Sequence, residues 1–158
     1  MPDVALRPVE DGDLDALFEM MRDPEAVRMA AFTAAHPSDR AAFDAQQARV
    51  RAASDITHRA VTCDGQLVGS IASFPMEGET EITYWIDRAA WGQGIATRAV
   101  ALLLDLVPDR PLYARVASDN TGSLRVLHKS GFTDIGTEIS FASARNADIE
   151  ETILRLDS

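Results

Sequence analysis

The chain has 158 residues, enough for one hydrophobic core, and its 46% hydrophobic and 25% charged content is that of an ordinary globular protein, which excludes wholesale disorder. A formal net charge of -10 and a pI near 4.6 leave no clustered positive surface, so nucleic acid is excluded as a partner; the acidity suits a cationic substrate or simple solubility. The lone cysteine, Cys63, cannot form an internal disulfide or a thiolate metal cluster, and His36, His58 and His128 show no metal-ligand spacing, so no metal is expected.

Nothing in the sequence approaches the apolar length needed to span a membrane, and Met1-Pro2-Asp3-Val4 has neither the basic start nor the apolar core of a leader. The reading is a cytoplasmic protein without membrane contact. No repeat, low-complexity tract or long linker divides it, so residues 1–158 are expected to form one domain. Val4 to Pro8 reads as a short strand. Glu10-Asp11-Gly12-Asp13 supplies the acidic first turn of a helix whose stripe is Leu14, Leu17, Phe18 and Met21. Pro24 opens a second helix towards Met29, and Ser38-Asp39 caps a third from about Arg40 to Ala53. The irregular stretch Ala30 to Pro37 lies between them, and these two helices are suited to wall a substrate site.

Ala60 to Thr62 and Leu67 to Phe74 flank the turn Asp64-Gly65 as a hairpin, with Cys63 a small strand residue. Gly78 marks a second turn before the strand Glu81 to Ile86, completing an antiparallel meander. Gly94 to Val107 is helical and apolar over most of its circumference, which predicts deep burial; Pro108 ends it. A strand from Leu112 to Val116, a helix from Ser123 to Ser130 stopped by Gly131, and strands Phe132 to Phe141 and Ile149 to Leu156 follow. The order predicts a mixed α/β fold with a mostly antiparallel central sheet, flanking helices and a parallel crossover in its second half.

The most informative segment is Trp91-Gly92-Gln93-Gly94-Ile95-Ala96-Thr97, between a strand and a buried helix. A helix N-terminus presents unpaired N–H groups and a partial positive charge, and glycines let an anion approach that backbone. In so acidic a chain, anion binding must come from local amides. The same residues also serve as a tight strand-to-helix turn. The segment lacks the third glycine of a dinucleotide fingerprint and the Gly-Lys-Ser/Thr of a P-loop.

Downstream stands Asn120-Thr121-Gly122-Ser123-Leu124-Arg125-Val126-Leu127-His128-Lys129-Ser130-Gly131-Phe132. Together, strand, G-x-G-x-A, buried helix, strand and N-x-x-S-x-x-V-L-x-K-x-G-F resemble the acetyl-CoA core of GNAT N-acetyltransferases. Tyr84-Trp85-Ile86-Asp87 before Trp91-Gly92-Gln93-Gly94 resembles the RimJ/RimL-like branch, which acetylates the N-terminal amines of ribosomal proteins. Two departures from the wider superfamily are visible. Trp91 replaces the usual Gln or Arg, and Leu127 replaces the tyrosine that protonates the departing thiolate in many relatives.

The resemblance implies the acyl-CoA N-acetyltransferase fold and acetyl-CoA as acetyl donor. The backbone of Gly92, Gln93, Gly94, Ile95, Ala96 and Thr97 would cradle the pyrophosphate, with Arg98 either near a phosphate or solvated. The pantetheine arm would run beside Tyr84 to Ile86, with amides near Trp85 and Ile86 polarising the thioester carbonyl. Asn120 would cap its helix and touch the cofactor arm. Ser123 is either the donor to the leaving thiolate or a plain first-turn serine. Glu81, alternating with Thr83 and Trp85, is either the base that relieves the amine of its proton or a solvent-facing strand residue. The amine would attack the thioester directly, with no acetyl-enzyme. The acceptor is expected to be a protein N-terminus or similar primary amine. Open alternatives are a small-molecule amine (antibiotic, polyamine or amino acid) and a non-catalytic acyl-CoA sensor. Family habit leans towards a homodimer.

Overall fold

Segments of period two and period 3.6 alternate along the chain, and the structure, a computed structural model describing residues 2–158, follows them. Strand β1 (Val4–Arg7) leads into helices α1 (Leu14–Met21), α2 (Pro24–Ala30) and α3 (Arg40–Ala52). The meander β2 (Thr57–Cys63), β3 (Gln66–Met76) and β4 (Glu79–Ile86) comes next, then α4 (Ile95–Leu106), β5 (Leu112–Ala117), α5 (Thr121–Lys129), β6 (Thr133–Ala142) and β7 (Ala147–Leu156). The strands form one seven-stranded sheet in the order β1-β2-β3-β4-β5-β7-β6. Only β4 and β5 pair in parallel; every other neighbour is antiparallel. No helix among the described residues is long and apolar enough to cross a membrane.

Local chemistry sets the helix starts. Asp23 caps α2 by accepting from the Ala26 amide at 3.0 Å, with Pro24 at its first position. Asp39 caps α3 through the Ala42 amide at 3.1 Å, and Asn120 caps α5 through the Ser123 amide at 3.3 Å. Helix α5 begins at Thr121, two residues before the expected Ser123, because that cap sits at Asn120. Arg7 grips Asp13 with its two terminal guanidinium nitrogens at 2.7 and 2.8 Å, tying β1 to the turn before α1.

Helix α4 lies on one face of the sheet. Its Ile95, Ala99, Val100 and Leu103 are buried with Val61, Ile71, Ile82, Leu112 and Leu154 of five different strands or their neighbours and with Leu127 of α5. Each Val, Leu or Ile among them contributes roughly 1.5–3 kcal/mol by leaving water, Ala99 less. The expected burial does not extend round the helix: Leu106, in the last turn, is 49% exposed. Helices α1 and α3 cover the other face, with Leu17 against Val9, Ala60 and Phe43.

One contact between β3 and β4 is close. Gly69 lies opposite Ile86, and a Cβ at Gly69 would stand 2.0 Å from the Trp85 carbonyl oxygen. Only glycine lets these strands approach there. Gly69→Ala must push β4 outward at Trp85, and the expected cost is about 1–3 kcal/mol. Thermal unfolding should show a melting temperature lower by several degrees, and an unchanged value would mean that the strands separate there without penalty.

Candidate active site

The parallel ladder between β4 and β5 holds only two residue pairs, Thr80 with Leu112 and Glu81 with Tyr113. Beyond Glu81 the strands part, although β4 continues to Ile86 and β5 to Ala117. Two cavities fill the space this creates. The first, of about 450 Å³, runs between the end of β4, the turn before α4, α2 and the start of α5. The second, of about 340 Å³, lies between Ile82–Trp85 and Ala114–Ala117 and is closed by Phe32 to Pro37 and Leu127. Of the two helices expected to wall a site, α2 borders the first cavity and α3 borders neither; the irregular stretch between them closes the second. Both cavities are bounded by Ala30, Tyr84, Trp85, Asn120 and Ser123, which form their junction.

Gly92 and Gly94 of the turn both adopt φ +77°, a left-handed backbone that side-chain-bearing residues enter at roughly 1–2 kcal/mol. A Cβ at either would meet no atom within 4 Å, so the space above this backbone is open. In α4 the first amide bonded within the helix is that of Arg98, to the Gly94 carbonyl at 3.1 Å. The amides of Ile95, Ala96 and Thr97 therefore precede the helical ladder and face this end of the groove without a helical partner. Trp91 has a structural duty: its indole N–H donates to the Ile86 carbonyl at 2.8 Å and staples the turn to the end of β4. The Trp85 indole donates instead to the Met20 carbonyl, at 3.1 Å, anchoring β4 to α1.

Of the residues read from the sequence as cofactor-binding, Trp85, Ile86, Gly92, Gly94, Ile95, Ala96, Thr97 and Asn120 all line the first cavity. Gln93 is exposed and does not, and Arg98 is also exposed away from it. Ser123 stands at the junction. Glu81 lines neither cavity; it is buried at the closed end of the gap, not solvent-facing. Its carboxylate lies 3.9 Å from Arg115, whose guanidinium also meets Glu138 at 2.9 Å and Glu151 at 3.2 Å and lines the second cavity. Burial pushes the Glu81 carboxyl above its ordinary range; Arg115 opposes this, and Glu151, Glu79 and Glu77 reinforce it.

Three groups at the site were not singled out from the sequence. The Tyr84 hydroxyl lies 2.5 Å from the Ser123 hydroxyl, and burial pushes this phenol up to about 12 despite that bond. Arg125 and Lys129, one turn apart on α5, line the first cavity and bring the positive charge that the chain as a whole lacks. Their four-residue spacing on a helix was the available signal. Among the described residues, no three His, Cys, Asp or Glu side chains are grouped to hold a metal ion.

The family profile described as "Acetyltransferase (GNAT) domain" matches residues 3–133. No curated protein matches the chain at the sequence level. Among solved structures, RimL, a ribosomal-protein alpha-N-acetyltransferase in complex with coenzyme A, superposes with a TM-score of 0.84 at 15% identity, over 98% of this chain and 93% of that one. Mycobacterium smegmatis RimJ in complex with CoA-disulfide gives 0.82 at 21% identity, over 98% and 82%. A Vibrio cholerae spermidine N-acetyltransferase in complex with CoA and spermine gives 0.79 at 16% identity, over 96% and 95%. At these identities the likeness is one of fold.

The raised Glu81 carboxyl carries a stability consequence. A carboxyl whose folded value exceeds its unfolded value, about 4.3 for Glu, stabilises the fold below that value and ceases to do so as pH rises through the folded value. Glu81→Gln does not ionise, so its melting temperature relative to wild type should climb between about pH 4 and neutrality. Thermal unfolding across that range checks it; a flat or falling difference would mean that the Arg115 pairing outweighs burial.

Proposed function

The chain belongs to the GNAT acetyltransferase family and is an acetyl-CoA-dependent N-acetyltransferase; from that premise we propose that residues 1–158 act as a single domain transferring the acetyl group to one primary amine, a protein N-terminus or a similar group. The observation that carries this reading is the meeting of two cavities at Tyr84, Trp85, Asn120 and Ser123, one suited to the donor and one to the acceptor. The first cavity fits acetyl-CoA: open space over two left-handed glycines, unpaired amides at the start of α4, and two cations on α5. Acetyl-CoA supplies the acetyl group already activated as a thioester.

In this reading the amides from Gly92 to Thr97, with Arg125 and Lys129, hold the phosphates. The edge of β4 from Tyr84 to Ile86, left without a β5 partner, receives the pantetheine arm, and amides near Trp85 and Ile86 polarise the carbonyl. Asn120 holds the start of α5 in place, and Ser123 donates to the leaving sulfur. An α-amino group titrates near about 7.7–8, so a weak base suffices. Glu81, set back behind Arg115, serves through water. Transfer is direct, without an acetyl-enzyme.

The lining of the second cavity bears on the acceptor. Its one charged residue is Arg115, and no carboxylate lines it. Nothing there pairs with the further ammonium groups of a polyamine, which favours an acceptor with one amine over a polyamine.

The test is release of the CoA thiol over a panel of N-terminal peptides, amino acids and polyamines. Turnover with a single-amine acceptor and little with polyamines is expected; a polyamine preference would overturn the acceptor assignment. Gly94→Trp should abolish acetyl-CoA binding by calorimetry, and unchanged affinity would remove the cradle. Reversing both cations, with Arg125→Glu and Lys129→Glu, should weaken acetyl-CoA binding roughly tenfold or more, with the loss shrinking as salt rises.

A further inference from the structure

The junction of the two cavities contains two hydroxyl groups, those of Tyr84 and Ser123, 2.5 Å apart and brought together from β4 and α5. Neither motif predicts the pair, since the partners stand 39 residues apart in the chain. A contact between two hydroxyls leaves open which of them donates, and the surroundings decide it. The phenol has two acceptors, the Ser123 hydroxyl at 2.5 Å and the Ser123 backbone carbonyl at 3.5 Å, the latter at the limit for an O–H···O bond. If Ser123 donated to the phenol, the half-buried Tyr84 proton would have only that poor acceptor among the protein groups. The Asn120 side chain is already engaged by the Ser123 amide. The protein acceptors therefore favour donation from Tyr84 to Ser123, which would free the Ser123 proton to turn towards the cavities.

We propose that Tyr84 is a positioning residue: its phenol donates to the Ser123 hydroxyl and thereby aims the Ser123 proton at the leaving sulfur of CoA. The inference rests on the assignment of Ser123 as the group that meets that sulfur. A hydroxyl that accepts one hydrogen bond is a stronger donor in its next, so the phenol also strengthens the Ser123 donation. Burial keeps the phenol protonated at any working pH. A thiol titrates near about 8.5, well below either hydroxyl, so the proton stays on oxygen. The pair holds the sulfur as a hydrogen-bonded thiolate and lowers the titration range of bound CoA, and the thiolate takes its proton from water on release.

The readout is affinity, not turnover. Binding of CoA and of desulfo-CoA is measured by calorimetry from about pH 6.5 to 9.5, the thiol range. If the site favours the thiolate, wild type binds CoA increasingly well relative to desulfo-CoA as pH rises. Tyr84→Phe should cut that rise roughly threefold or more, the worth of one hydrogen bond. Ser123→Ala should abolish it. A rise lost in Ser123→Ala but intact in Tyr84→Phe overturns the role of Tyr84 and leaves that of Ser123 standing. A rise intact in both overturns the Ser123 assignment too. Each variant is referenced to its own desulfo-CoA affinity, so a general loss of fit cancels. A second measurement avoids truncation: Tyr113→Phe leaves Tyr84 as the only tyrosine, and its replacement by 3-fluorotyrosine keeps the shape while making the phenol a stronger donor. The rise should grow, and an unchanged rise counts against the proposal.

Discussion

The site depends on a ladder that stops. Parallel strands β4 and β5 share two residue pairs and then separate, and the backbone groups beyond Glu81 on the facing edges lose each other as partners. Buried peptide groups seldom go unpaired, so an opening in the middle of a sheet is costly unless something fills it. Here the neighbouring ladders hold the strands open: β4 stays paired to β3 through Ile86, and β5 stays paired to β7 through Ala117. The close approach of Gly69 to the Trp85 carbonyl, the indole of Trp85 on Met20 and the indole of Trp91 on Ile86 hold the far end of β4 in place. Rigid antiparallel pairing on both outer sides thus keeps an open edge available to a ligand that can pair like a strand.

Electrostatics reinforces this arrangement locally. A chain of net charge -10 repels a polyanionic donor at long range, and screening shortens that repulsion to about 8–10 Å under ordinary salt. Within that distance the groove presents the amide end of α4, the left-handed glycine turn and the side chains of Arg125 and Lys129. The acidic residues nearest the gap sit at its other end, where Arg115 gathers Glu81, Glu138 and Glu151. The two cavities therefore differ in field as well as in shape.

What could be read from the sequence was local. Gly92 and Gly94 announced a turn because glycine enters that backbone without penalty, and Asn120 announced a cap because its side chain bonds three residues ahead. The meander and the crossover followed from hydrophobic period together with the turn and stop residues Asp64-Gly65, Gly78, Pro108 and Gly131. What escaped reading was tertiary. The burial of Glu81 depends on Arg115, far along the chain, and alternation along β4 could not reveal it. Gln93 sits inside the motif yet points away, because the turn displays its glycine backbone and not the side chain between. Tyr84 read as a β-forming aromatic; only the convergence of β4 and α5 gives its hydroxyl a partner.

One departure from the wider superfamily, Leu127, lies on α5 and bears on where a proton donor can stand. Leu127 is fully buried and closes the second cavity, so the position that carries a tyrosine in many relatives here offers only an apolar wall. Ser123 lies four residues earlier, on the same helical face and one turn nearer the N-terminus. The proposed donor, Ser123, would thus stand where the helix favours negative charge, in the first turn after Asn120. A serine hydroxyl is a weaker acid than a phenol, and it is too short to choose its own direction against a mobile sulfur. In the proposed mechanism Tyr84 makes up the difference from the facing strand, its half-buried phenol 2.5 Å from the Ser123 hydroxyl directing and strengthening the serine. On the proposed mechanism the phenol missing from the helix has a counterpart on β4, acting through Ser123, and the cost of that arrangement is a dependence on the separation of β4 from β5.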